Sequence, residues 1–473
     1  MCDGAVGLAG LEARLAEDLA SIQYPAADWV PPSFGADGTR ALDVAIIGAG
    51  MLGLCAAFAL MREGIVNVLC LDAAPEGSEG PWVTWARMQT LRSPKHLQGP
   101  ALGIASLSFR AWFIAQWGRD AWERLDKAPR TMWMDYLCWY RHATGVAVRN
   151  RSRVAAVVPE GTLYRLDLVV GQPLYARHVV LATGRDGLGG PHIPLEFRGL
   201  PATHCAHSSD AIDFAALAGR HVVVVGANAS AFDNAAAALE AGCAGMTLLV
   251  RRPALPSVNK FMYQTHAGFT HGAHKTPAEA RLRMLRYAFA EQVPPPRDSV
   301  LRVSRHRNAR MLLGCPVHAA SICEGRAQLT TARGQIEADF VILGTGFAND
   351  ITSREELAPV VPDIALFSDH VADAGIFAAS PWLGDAFEFT ARPGRTAAHL
   401  ARLHCFNFAA TASCGRPIGD IPALSENAQR LSRGIAAQLF NADLARHEAL
   451  LQAYATPELI GDEWPDLLPT TAE

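Results

Sequence analysis

The chain has 473 residues, half of them hydrophobic and 19% charged, which is the composition of a folded globular protein and too much chain for one core. Its net charge is 42 − 46 = −4, so no basic field points to nucleic acid. No apolar run approaches the roughly 18 residues of a membrane span, and ten scattered cysteines with no Cys-x-x-Cys pair read as reduced thiols in a cytoplasm.

Residues 1–40 read as an extension. Asp3 stands where a secretory signal would be basic, Leu8, Leu11, Leu15 and Leu19 recur at helical spacing, and a Pro-rich connector follows at 24–34. Residues 42–72 then give strand, glycine turn, helix, strand and acid. The apolar run 44–47 suits a strand buried on both faces, and Gly48-Ala49-Gly50-Met51-Leu52-Gly53 follows at once. In such a fingerprint Gly48 permits the tight turn, Gly50 lets the backbone approach a pyrophosphate, and Gly53 lets helix and strand pack closely. Asp72 lies nineteen residues past Gly53, where an acid accepts hydrogen bonds from a ribose. This is a dinucleotide site.

Residues 73–104 are rich in Gly and Pro and carry Trp82, Trp85, Arg87, Arg92, Lys95 and His96. A long irregular segment just past the ribose acid is expected beside the cofactor's reactive end. Residues 109–142 look helical, and their aromatics read mostly as core. Residues 146–181 alternate as short strands and end at Ala182-Thr183-Gly184, expected near the cofactor.

A second nucleotide unit begins at Gly219, with the fingerprint Gly226-Ala227-Asn228-Ala229-Ser230-Ala231. Ala231 is tolerated in the third place, whereas Asn228 is expected to crowd the pyrophosphate. Arg251 and Arg252 close its second strand. Cations there suit a 2′-phosphate, hence NADPH over NADH. Residues 279–292 read as a helix with Arg281, Arg283 and Arg286 on a solvated face, and Arg302, Arg305, Arg307 and Arg310 read as surface. His266, His271 and His274 lack the acid or cysteine of a zinc site. A strand ending at Gly344-Thr345-Gly346 mirrors the one before Gly184, a strand is expected at 403–408, and a helix at 422–440.

Two Rossmann units, the second inserted into the first, with a Thr-Gly strand end at each crossing, resemble the class B flavoprotein monooxygenases. That group contains the flavin-containing, Baeyer–Villiger and amine N-hydroxylating enzymes. Gly48, Gly50, Gly53 and Asp72 match its FAD fingerprint. Gly80-Pro81-Trp82 is similar to its Gly-Gly-x-Trp segment, and Leu91-Arg92-Ser93-Pro94-Lys95 to its Thr-Asn-Ser-Pro-Lys run. Phe197, Gly199 and His207 resemble its Phe-x-Gly-x-x-x-His signature at a longer spacing, which disfavours a typical Baeyer–Villiger enzyme.

The expected architecture is α/β: extension 1–40, FAD-binding domain 41–200, inserted NADPH-binding domain 201–335, and a second FAD-binding part with C-terminal helices at 336–473. FAD would contact Gly48, Gly50, Met51, Leu52, Gly53, Asp72, Trp82, Arg87, Ala182, Gly184, Gly346 and Thr411. NADPH would contact Gly226, Asn228, Ser230, Ala231, Arg251 and Arg252. The resemblance implies oxygenation of a small substrate through a flavin C4a-(hydro)peroxide, at nitrogen or on a heteroaromatic ring. Arg92 and Asn407 are then the catalytic candidates, since a peroxide anion needs a nearby donor. The partners are the substrate and O2, with no metal and no membrane, and a homo-oligomer is left open. A peroxide-producing NADPH oxidase or flavin reductase, and a nucleotide-binding sensor, are the rival readings. A dithiol disulfide reductase is opposed by the lack of a cysteine pair, Cys405 and Cys414 being nine residues apart.

Overall fold

A computed structural model describes residues 7–460 and Glu463. Helix α1 (Gly7–Ser21) buries Leu11, Leu15 and Leu19, the stripe set by their spacing. The first unit follows as β1 (Leu42–Ile47), α2 (Met51–Arg62), β2 (Val68–Leu71), α3 (Phe109–Arg124), α4 (Arg130–Thr144), β3 (Val148–Arg149), β4 (Val154–Glu160), β5 (Leu163–Leu168) and β6 (Leu174–Leu181). Its sheet runs β3-β2-β1-β6-β5-β4. The central strands are parallel, and β5 and β4 join antiparallel. Val44, Ala45 and Ile46 are fully buried, as a strand covered on both faces requires.

The stretch expected as one helix over 109–142 is two. The backbone turns at Gly118 (φ 81°), and Leu125 leaves the helix in an extended conformation. Pro129 then begins α4 from the N-cap position, and a residue before proline is driven out of helical geometry. Lys95 donates to the carbonyls of Trp122 and Leu125 at the end of α3, where a cation also meets the negative end of the helix dipole. Trp112, Trp122, Trp133 and Tyr136 pack around Phe109 as core.

The second unit contains β7 (Gly189–Pro191), β8 (Cys205–His207), β9 (His221–Val225), α5 (Ala229–Glu240) and β10 (Gly245–Leu249). A helical insertion of α6 (Ala267–Gly272), α7 (Ala278–Glu291) and α8 (Arg297–Ser304) leads to β11 (Ala309–Leu312). Then come β12 (Val317–Cys323), β13 (Arg326–Thr331), β14 (Gly334–Ala338), β15 (Phe340–Leu343) and β16 (Phe347–Asn349). A parallel five-stranded sheet runs β11-β10-β9-β15-β8, β12-β13-β14 form an antiparallel sheet, and β16 pairs with β7. The expected return to the first unit at residue 336 is therefore too early. β15 is hydrogen-bonded between β9 and β8, and the chain rejoins the first sheet only at β17 (Leu403–Cys405), parallel to β6. Helices α9 (Thr411–Cys414), α10 (Leu424–Ala442) and α11 (Leu444–Ala453) close the described chain.

One buried acid sits in the central strand. Asp43 is 1% exposed, and neither carboxylate oxygen has a hydrogen-bond partner. Burial pushes its carboxyl up to about 7, against the pull of Arg177. Its folded-state pKa lies above the unfolded value of about 3.9, so the folded chain holds a proton that the unfolded chain releases as pH rises from about 4 to about 7. Stability from this group is present at the acid end of that window and lost toward its top. Asp43→Asn should raise the melting temperature at pH 8 and leave it nearly unchanged at pH 4, by thermal unfolding at both pH values.

Candidate active site

The glycine turn after β1 shows which positions the fold itself demands. Gly48 has φ 104°, and a methyl there would lie 2.5 Å from the Ala182 carbonyl oxygen. A methyl on Gly53 would overlap the Gly48 carbonyl. Gly50 is different. Its φ of −69° suits any residue, and a methyl there would meet nothing nearer than Gly80 Cα at 3.8 Å. Protein packing does not require that glycine; a ligand approaching the backbone does. Met51 and Leu52 are buried in the first turn of α2, whose start no side chain caps.

Asp72 braces this turn from the end of β2. Its Oδ2 accepts the Ala49 N–H at 2.7 Å and its Oδ1 the Ala74 N–H at 2.8 Å. Just past Gly80, Trp82 packs edge-on against Trp133, and its carbonyl accepts a hydrogen bond from Arg130. A backbone-lined cradle, an uncapped helix start and an acid at the neighbouring strand end fit a dinucleotide of the FAD type.

The ends of β6 and β17 form the cleft floor. Ala182 N–H donates to Ile47 at 2.9 Å, and Gly184 (φ 80°) accepts the Phe408 N–H at 3.1 Å. Asn407 is fully buried; its Nδ2 donates to Leu181 O (3.0 Å) and Thr183 Oγ1 (3.1 Å), and its Oδ1 accepts the Ala409 N–H (3.0 Å). Its amide hydrogens are both spent inside the protein, so Asn407 positions the two strand ends and is not a catalytic group. Thr411 is likewise buried, its hydroxyl donating to Phe408 O at 2.6 Å.

Arg92 reaches from the 73–104 loop to the helical insertion and donates to Pro294 O at 2.8 Å. Burial lowers its pKa, and Asp420 and Asp233 work against that shift. Three charged groups that sequence reasoning missed stand near it. Arg185, next after Gly184, lies 3.8 Å over the Phe408 ring. Arg416 is 4% exposed and donates to Thr270 Oγ1 at 2.6 Å. Asp420 has its carboxyl raised by loss of water, an effect that Arg185, Arg416 and Arg92 oppose. Arg185 carried a positional signal, adjoining the Thr-Gly strand end; Arg416 and Asp420 carried none.

Arg87 turns away from the glycine cradle, donating to Thr84 O at 2.7 Å and lying over Phe214 of the second unit. Gly346 sits at the crossing between units, its carbonyl 2.9 Å from both the His192 N–H and His207 Nε2. In the second fingerprint a methyl on Gly226 (φ 140°) would overlap the Gly344 carbonyl, and Gly344 presses on buried Ala231. Asn228 occupies the N-cap of α5, exposed and making no capping hydrogen bond, with Ser230 half-buried in the first turn. Arg251 is exposed just past β10, and Arg252 donates to Ala290 O at 3.4 Å.

Two arginines expected on the surface are buried. Arg281 donates to Ala412 O (2.8 Å), His274 O and Thr276 O (both 3.0 Å). Arg302 pairs with Glu240 at 2.8 Å and Asp233 at 3.4 Å, and donates to Arg87 O at 3.1 Å. Helical periodicity marks a polar face, but it does not reveal a second surface laid against that face.

A family model described as pyridine nucleotide-disulphide oxidoreductase matches residues 45–269. The FAD-dependent urate hydroxylase of Xanthomonas campestris pv. campestris is 39% identical over 478 residues, spanning 99% of this chain and 100% of that protein. The ornithine hydroxylase of Pseudomonas aeruginosa superposes with a TM-score of 0.67 at 18% identity, over 84% of this chain and 100% of that one. The L-lysine 6-monooxygenase of Pseudomonas syringae does so at 0.64 and 18%, over 85% and 99%. At such identities the solved structures speak for the fold.

The two glycine positions separate experimentally. Gly53→Ala should destabilise the flavin-free protein by more than about 2 kcal/mol, as backbone overlap demands. Gly50→Ala should leave flavin-free stability within about 0.5 kcal/mol while weakening FAD binding at least tenfold. Thermal unfolding and flavin titration read the two effects, and equal destabilisation would sink the distinction.

Proposed function

Because the chain belongs to the family of the FAD-dependent urate hydroxylase, we propose that it hydroxylates an oxopurine of the urate type on its ring, using FAD, NADPH and O2. The full-length match to a urate hydroxylase carries the substrate class. The cradle at Gly50, open where the fold does not require it to be, supports the FAD assignment. Bound FAD, reduced by NADPH, supplies activated oxygen. The chain's residues do the rest.

The backbone at Gly48–Gly53 and the start of α2 hold the pyrophosphate, and Asp72 keeps that turn in shape while offering lone pairs to a ribose. Arg251 and Arg252 take the 2′-phosphate of NADPH. Asn228 is exposed at the N-cap of α5 and makes no capping hydrogen bond. Asn407, tied to Leu181 O and Thr183 Oγ1, would brace the strand ends that hold the flavin ring. Arg92 stands in this cleft as the first donor for developing negative charge on oxygen.

Purified protein should be yellow and consume NADPH and O2 when urate is added, with little peroxide released. NADPH oxidation independent of urate and matched by peroxide would instead identify an oxidase. Replacing Arg251 and Arg252 together by Ala should raise KM for NADPH about tenfold or more and leave KM for NADH unchanged, since a charge-assisted contact is worth about 1.5–3 kcal/mol.

A further inference from the structure

Arg92, Arg185 and Arg416 each lie near enough to Asp420 to act on its carboxyl, and none collapses onto it. Among the described residues no hydrogen bond or ion pair joins any of the three to that carboxylate, and Asp420 does not cap the turn that follows it. The other nearby acids have partners elsewhere, although Glu426 Oε2 has none. Asp233, which reaches Arg92, accepts from Ser299 at 2.6 Å and pairs with Arg302. Glu426, which reaches Arg416, holds Gln98.

Each guanidinium is held from behind. Phe408 lies under Arg185, Thr270 holds Arg416 and the Pro294 carbonyl holds Arg92. Two of these supports, Thr270 and Pro294, belong to the helical insertion. Arg416 is 4% exposed, yet its Nε has no partner. A buried, unsatisfied guanidinium N–H is costly unless something accepts from it.

Arg185 lies one residue beyond Gly184 and its platform Phe408 one beyond Asn407, just past the ends of β6 and β17. Its loop touches the cofactor unit through Gly419, which abuts the Leu52 side chain in the first turn of α2. The pyrophosphate cradle, by contrast, is the glycine turn at Gly48–Gly53 and the uncapped start of α2. The arginines therefore stand past the glycine turn, on the side of the strand ends.

We propose that Arg185, Arg416 and Arg92, with Asp420, form the substrate-recognition site for a planar heterocyclic anion bearing both carbonyl oxygens and ring N–H groups. The assignment rests on the oxopurine reading above. Guanidinium forks match adjacent carbonyl oxygens in one plane, while Asp420 accepts from ring N–H groups. A neutral ring of the same shape gains less from the cations, so the site selects by charge as well as by outline.

The test is ligand binding to oxidised, FAD-loaded protein without NADPH, read by visible flavin spectra and calorimetry, with urate and cyanurate as probes. Arg185→Met and Arg416→Met should each weaken urate at least 30-fold while FAD content and affinity stay as in the parent protein. Arg416→Lys should restore only part of the loss, because a point charge cannot copy the fork. Arg185 is exposed, so its variant remains informative if Arg416→Met fails to fold. Unchanged urate affinity in Arg185→Met, or loss of FAD with urate affinity retained, overturns the proposal. Cyanurate bound by the parent and lost by the variants, with no urate binding, would keep the site and discard the urate assignment. A parent protein that binds neither probe overturns the site itself.

Discussion

The fold hangs on the closeness of α2 to the end of β1. A methyl on Gly53 would overlap the Gly48 carbonyl, and one on Gly48 would lie 2.5 Å from Ala182 O. These contacts fix helix, turn and neighbouring strand as one body, so the helix start points at a set place above the strand ends. Asp72 then locks the same turn from β2 through the Ala49 N–H. Everything chemical in the first unit is referred to this body: β6 is registered on β1 through Leu181 against Ile47, β17 on β6 through Cys405 against Leu181, and Asn407 ties both ends together.

The inserted helices reach that body through arginines. Arg281 donates to the carbonyls of Ala412, His274 and Thr276, joining α7 to the segment after β17. Arg302 ties α8 to α5 through Asp233 and Glu240, and to the 73–104 loop through Arg87 O. Carbonyl acceptors and shared carboxylates satisfy these buried guanidiniums, as buried charge requires. The insertion is thereby held against the cleft, where its Thr270 and Pro294 meet Arg416 and Arg92.

Much of this is legible in the sequence alone. Gly48, Gly53 and Asp72 are readable because their constraints are local: a turn, a close approach and an acid at a fixed distance along the chain. Strands such as Val44–Ile46 announce themselves by unbroken apolar runs. What cannot be read depends on distant partners. Periodicity gives Arg281 to solvent because nothing along α7 foretells Ala412, 131 residues away. Asn407 reads as a catalytic donor because its partners, Leu181 and Thr183, lie over 220 residues earlier. The end of the second unit is misplaced because Gly344-Thr345-Gly346 has the same form at either sheet, and only the pairing of β15 with β9 and β8 decides between them.

The thiols show why electrons gathered in this cleft have no dithiol to go to, although part of the chain matches a disulfide oxidoreductase model. Cys405 is fully buried, and burial drives its thiol well above the ordinary range. Its sulfur lies 3.3 Å from Asn407 Oδ1, and loss of water, foremost, keeps it protonated. Thiol exchange needs a thiolate with access to its partner, and this sulfur has neither. Cys414 is buried too and serves as acceptor for Arg430 Nη2 at 3.2 Å. The strand end that could have presented a redox sulfur instead presents Asn407 as a brace and Phe408 as the platform for Arg185. Burial therefore keeps the thiol silent, while the neighbouring Asn407 amide nitrogen ties β6 to β17.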